Sequence, residues 1–125
     1  MLTGARFGTR DIKRAIAFYD AVTAELGGSR VIDRHGMAGY RGPEGGIFIV
    51  GTPREGEACV GNGSQVMWGA PSRAAVDAAH ARALELGGKC EGPPGPRGAP
   101  ENNMYAAYFR DPDGNKVMVT RLGEK

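Results

Sequence analysis

The stretch Tyr105-Ala-Ala-Tyr-Phe-Arg-Asp-Pro-Asp-Gly-Asn-Lys-Val-Met-Val-Thr120 reads as strand, tight turn, strand. Apolar and aromatic residues run up to Asp111-Pro112-Asp113-Gly114-Asn115 and resume at Val117 and Val119. Pro112 presets φ at the first corner, Gly114 accommodates positive φ, and aspartate side chains bond a turn's own backbone. A β-hairpin follows, with its register fixed by the turn. Asp111 and Asp113 are thus read as turn residues, not as an acid/base pair.

Upstream of the hairpin, the chain states one plan twice. In the first half, residues 2–9 read as a strand. Asp11 is placed to cap a helix in which Ile12, Ala15, Ile16, Tyr19, Val22 and Leu26 recur at helical spacing, and Gly27-Gly28 stops it. Strand candidates follow at 29–34, 37–41 and 46–51. In the second half, 64–70 reads as a strand, Ser72 as the cap of a helix from Arg73 to about Leu86, and Gly87-Gly88 as its stop. Glu25-Leu-Gly-Gly28 and Glu85-Leu-Gly-Gly88 mark the repeat. A short strand near 89–91, a long loop at 92–103 and the closing hairpin complete it. A single helix on a single small sheet buries too little to stand alone, so the two copies are expected to share a core.

The expected fold is therefore α+β: two tandem βαβββ modules forming an open, cupped mixed β-sheet with helices on the outer face. The boundaries are 1–51 for the first module, 52–63 for a linker, 64–121 for the second module and 122–125 for a tail.

Composition narrows the function classes. The net charge is +2 and no Lys/Arg block or basic-aromatic stripe occurs, which argues against nucleic-acid binding. Apolar runs are too short to span a bilayer, and no signal peptide is visible. Cys59 and Cys90 lack metal-ligand or redox-motif spacing and read as reduced, partly buried thiols, consistent with a cytoplasmic protein. No GxSxG elbow, Cys beside His or phosphate-binding glycine loop is present.

The quoted turn, the entry helix Thr9-Arg-Asp-Ile-Lys-Arg-Ala-Ile-Ala-Phe-Tyr-Asp20, the segment Gly61–Ser72 and Gly95-Pro-Arg97 resemble the vicinal-oxygen-chelate superfamily of glyoxalase, bleomycin-resistance and dioxygenase proteins. The resemblance implies paired βαβββ modules around a ligand and, in many members, a homodimer. Metal-binding members carry a His on the first strand, a His on the strand opening the second module, a Glu on the closing strand and a fourth ligand on the last strand of the first module. The matching positions here are Gly4, Gln65, Met118 and a point within 47–50, where no carboxylate stands. Glycine offers no donor, glutamine a neutral carbonyl and methionine a soft thioether, so neither a metal nor another cofactor is expected. His35 and His80 read as surface or helix-edge imidazoles.

If Gly4, Gln65 and Met118 face inward, alternation also turns Arg6, Met67, Lys116 and Thr120 inward, and places Phe7, Trp68, Val117 and Val119 toward the helices. The empty side-chain position at Gly4 is expected to leave room for a ligand. The candidate ligand-binding set is Arg6, Gln65, Met67, Tyr105, Lys116 and Met118, with Arg6 and Lys116 suited to an anionic group. Loop 92–103, similar to a family loop lying over the cleft, is a candidate lid. The leading expectation is a metal-free small-molecule-binding protein. The alternatives are a lyase- or isomerase-type enzyme with an atypical site, and a dimer scaffold with a vestigial cavity.

Overall fold

The computed structural model describes residues 1–123, so Glu124 and Lys125 of the expected tail lie outside it. Eight strands and two helices occur in the order β1 (Gly4–Gly8), α1 (Ile12–Ala24), β2 (Ser29–Arg34), β3 (Met37–Arg41), β4 (Ile47–Gly51), β5 (Val66–Gly69), α2 (Arg73–Glu85), β6 (Lys89–Arg97), β7 (Met104–Arg110) and β8 (Lys116–Leu122). They form two four-stranded sheets, β1-β4-β3-β2 and β5-β8-β7-β6, each with one parallel pair, β1 with β4 and β5 with β8. This is the α+β pair of βαβββ modules expected from the repeat.

Both helices start and stop by the same devices. Asp11 accepts a hydrogen bond from the Arg14 amide at 3.1 Å, and Ser72 from the Ala75 amide at 3.0 Å, each satisfying a free donor of the first turn. At the far ends, Gly27 and Gly87 take φ of 78° and 94°. The next residue then donates back into its helix, Gly28 to Thr23 and Gly88 to Ala83, both at 2.8 Å. A Cβ at Gly88 would meet the Ala83 carbonyl oxygen at 2.8 Å, so the second glycine of each pair is selected by close approach as well as by the turn.

The helix-facing sides of both sheets merge into one core. Phe18, Tyr19 and Val22 of α1, Phe48 and Val50 of β4, Val76 and Ala79 of α2, and Phe109, Val117 and Val119 of the hairpin are all buried within it. Phe48 and Trp68 meet across the modules edge-to-face, with ring centroids 5.0 Å apart. The closing turn acts as a second joint. Asp111 accepts from the Tyr19 hydroxyl at 2.6 Å, and Asp113 from the Thr9 hydroxyl at 2.5 Å and the Arg10 amide at 3.0 Å. Asn115 donates to the Gly8 carbonyl at 3.0 Å. The aspartates thus hold the turn and also fasten the second module to α1 of the first.

The expected loop at 92–103 is corrected by the structure. Residues 92–97 extend β6 as a strand paired to β7, and only a short 3₁₀ turn, Pro100–Asn102, separates the two. Proline and glycine ordinarily argue against a strand. Here β6 is the edge of its sheet, and its register shifts between Cys90 and Gly92 and between Gly92 and Gly95. Edge and bulge positions do not require the amide donors that Pro93 and Pro94 lack. Residues 92–97 of the candidate lid are therefore pinned to the sheet.

Candidate functional site

Register fixes which side chains share the faces turned away from the helices. In the second sheet, Met67 of β5 lies beside Met118 of β8, and Met118 opposite Tyr108 of β7. In the first, Arg6 of β1 lies beside Ile49 of β4. The capping residues Asp11 and Ser72 and the two parallel pairs align the modules, so Arg6 matches Met67 and Ile49 matches Met118. The fourth position matching a family metal ligand is thereby placed at Ile49.

The four positions Gly4, Ile49, Gln65 and Met118 do not fit a divalent metal. Beyond lacking donors, the first is sterically closed: a Cβ at Gly4 would lie 2.6 Å from Ile47 Cγ2 and 2.9 Å from the Ile47 carbonyl oxygen. A side chain at Gly4 would thus meet Ile47, because β4 crowds the start of β1, while Gly4 itself lines the larger of two cavities. Among the described residues, no group of three or more His, Cys, Asp or Glu is placed to hold an ion.

Two cavities lie along the seam where β1 and β5, the outer strands of their sheets, come together. The larger, about 350 Å³, is walled by both strands, the β3–β4 turn and the C-terminal end of α1. Its surface is mostly apolar and aromatic, with Trp68, Phe48, Tyr40, Met67 and Leu26, and with Gln65 and Glu44 among the polar groups. The smaller, about 210 Å³, lies at the other end of β1 and includes Arg6, Lys116, Ser64, Asn115 and Cys59.

The two ends differ because the turns that close them differ. Asp111-Pro-Asp-Gly-Asn115 precedes β8 as Gly42-Pro-Glu-Gly-Gly46 precedes β4. The first is drawn in by Thr9, Arg10 and Tyr19. Glu44 holds the place of Asp113, but the residues matching Thr9 and Arg10 are Ala70 and Pro71, which offer no side-chain hydroxyl and no amide donor at the second position. The larger cleft lies at the end whose turn lacks these partners, and the smaller cavity at the end where they draw the turn in.

The six residues read as a ligand set are dispersed. Gln65 and Met67 line the larger cleft, with Met67 67% exposed. Arg6 and Lys116 line the smaller cavity. Arg6 already donates to the Thr52 carbonyl at 3.0 Å, and the Lys116 ammonium lies 5.4 Å from the Tyr108 ring centroid. Met118 is buried beside Met67.

Tyr105 is a correction. Its hydroxyl donates to Asp77 of α2 at 2.7 Å and its ring lies under Arg73, so it belongs to the helix side of β7. The hydrogen bond to Asp77 raises its phenol pKa. Alternation along β7 instead gives the opposite face to Tyr108, which sits between Arg97 and Lys116. Trp68 was expected to be core only; it packs on Phe48 and Tyr19 and also forms a wall of the cleft. Its place at the unpaired edge of β5 explains both roles, and no local sequence pattern reports which strand is an edge.

Paired βαβββ modules joined through one core define a class of domains built on a tandem repeat. The chain belongs to the Glyoxalase/Bleomycin resistance protein/Dioxygenase superfamily, whose family model matches residues 5–119. The crystal structure of a glyoxalase/bleomycin resistance protein from Albidiferax ferrireducens T118 is similar at 36% identity and a TM-score of 0.88, covering 98% of this chain and 99% of that one. A glyoxalase/bleomycin resistance protein/dioxygenase family enzyme from Burkholderia phytofirmans PsJN shares the fold at 16% identity and TM-score 0.73, with 97% and 98% covered. TioX from Micromonospora sp. ML1 does so at 19% and 0.68, with 98% and 99% covered. No curated protein gives a significant match. Among the described residues no helix is long and apolar enough to cross a membrane.

Proposed function

We propose that this chain binds a small, largely apolar molecule in the cleft between its modules and does so without the divalent metal used by other members of its superfamily. The observation that carries this reading is the cleft wall, in which Trp68, Phe48 and Tyr40 surround about 350 Å³. That volume and aromatic character suit a compact ligand, with Gln65 and Glu44 available to orient a polar end. An anionic group is the complementary occupant of the smaller cavity, whose lining includes Arg6 and Lys116. We further propose a homodimer in which a second copy covers the faces turned away from the helices. Met67 and Leu122, 67% and 64% exposed, support it. Two free thiols suit a reducing, cytoplasmic setting.

Trp68 is the only tryptophan, so its fluorescence reports the cleft directly. Titration with a panel of aromatic compounds, each with and without a carboxylate, is expected to give a saturable emission change with at least one of them, and Trp68→Phe to abolish the signal. Metal analysis of protein purified without chelator runs alongside. About one equivalent of tightly held metal, with saturable thermal stabilisation by the same ion, would overturn the metal-free reading and favour a lyase or dioxygenase instead. Failure of every compound to change the emission would count against a binding cleft.

A further inference from the structure

The pair His80–Cys90 lies outside both cavities and has no part in the binding reading. His80 stands on α2 among Val76, Ala79 and Ala83 and is only 6% exposed. Its Nε2 lies 3.3 Å from Cys90 Sγ. Cys90 sits near the start of β6, the edge strand, and is exposed. The arrangement joins the sulfur of an exposed edge-strand cysteine to an imidazole held from behind by the core. Sequence spacing hid this, since ten residues and a helix stop separate the two.

We infer that Cys90 is a thiol-exchange site, with His80 as its proton acceptor, that takes low-molecular-weight disulfides into a mixed disulfide. Cys90 Sγ attacks one sulfur of the incoming disulfide; a new S–S bond forms as the old one breaks. The Cys90 proton passes to His80 Nε2 and then to the departing thiolate. A thiol and a disulfide give a thiol and a disulfide, so the step is balanced without an added oxidant.

The surroundings suit the acceptor. Burial lowers the His80 pKa, with the Asp77 carboxylate one turn back opposing it, so the imidazole is neutral and able to take a proton at neutral pH. On β7, Phe109 is the neighbour of Cys90, while Lys89 and Arg110 pair one position along and alternate to the other face. Cys59, exposed in the segment between β4 and β5, has no histidine against it and provides an internal comparison.

The test compares rates with an uncharged aromatic disulfide, dithiodipyridine, for Cys59→Ser (Cys90 alone) and Cys90→Ser (Cys59 alone), so that Arg6 and Lys116 beside Cys59 do not attract the reagent. Cys90 is expected to react about fivefold faster at pH 6.5. His80→Gln in the Cys59→Ser background is expected to bring the rate and its pH profile to those of Cys59. Equal rates and profiles for the two thiols, or no effect of His80→Gln in protein that keeps its melting temperature, would overturn the assignment. The wild-type chain gives a reading that needs no variant. Substoichiometric oxidised glutathione, followed by peptide mass analysis, is expected to label Cys90 ahead of Cys59, and the reverse order would refute it.

Discussion

Replacing Tyr19 with Phe removes one oxygen from the joint between the modules and little else. The hydroxyl donates to Asp111 Oδ2 at 2.6 Å, with Tyr19 0% and Asp111 3% exposed, so water does not readily replace it. The carboxylate keeps three other donors, the amides of Asp113 and Asn115 and the Asn115 side chain, and so is not left bare. A buried hydrogen bond to a charged acceptor is worth about 1.5–3 kcal/mol, which sets the expected loss near 2 kcal/mol. For a domain of this size that corresponds to a fall of about 8 °C in melting temperature.

Tyr40→Phe is the matched control. Its hydroxyl donates to Asp20 at 2.8 Å, but the Asp20 side chain is 41% exposed and water can take the vacated place. There the expected loss is about 0.5–1 kcal/mol. Urea unfolding followed by circular dichroism measures both. A Tyr19→Phe cost under about 0.5 kcal/mol, or one equal to that of Tyr40→Phe, would mean the closing turn is not fastened to α1 through this bond.

Alkaline stability follows from the same phenols. Burial foremost, and then Asp111, raises the Tyr19 pKa; burial and the hydrogen bond to Asp20 raise that of Tyr40. Because the folded state holds these protons more tightly than the unfolded chain, their contribution is complete below the unfolded value of about 10 and is lost as pH rises toward the folded values. The urea midpoint should therefore fall above pH 10, with phenolate absorbance of the buried tyrosines rising together with unfolding; absorbance rising in the intact fold would refute this. Gly4→Ala should cost about 1–3 kcal/mol by thermal melting, since the added carbon meets the backbone of Ile47. An unchanged melting temperature would show that β1 yields freely at this position. Met67→Lys, at an exposed apolar point, should shift sedimentation from dimer to monomer without lowering the helix signal; a monomeric wild-type chain would sink the proposed dimer.

Local patterning made the architecture legible. Asp11 and Ser72 announced helix starts, the two Glu-Leu-Gly-Gly tetrapeptides announced helix stops, and the Asp-Pro-Asp-Gly-Asn turn announced the last hairpin, because caps and turns are chosen by backbone geometry within a few residues. Alternation likewise assigned Met67, Met118, Trp68 and Val119 to their sheet faces, since a pleated strand has a period of two.

Residue 105 was misplaced because two tyrosines three positions apart on β7 occupy opposite faces, and only the neighbour across space, Asp77, says which is which. Residues 92–97 read as loop because the sequence does not reveal that their strand is an edge, where prolines are tolerated. The cleft, the latch from Asp111 and Asp113 to α1, and the meeting of His80 with Cys90 all join residues from different elements. The sequence by itself determined where each helix and turn begins and which strand faces match. Only the tertiary structure decided which edges meet, because that depends on how two similar modules pack and on the one turn that carries partners for its carboxylates.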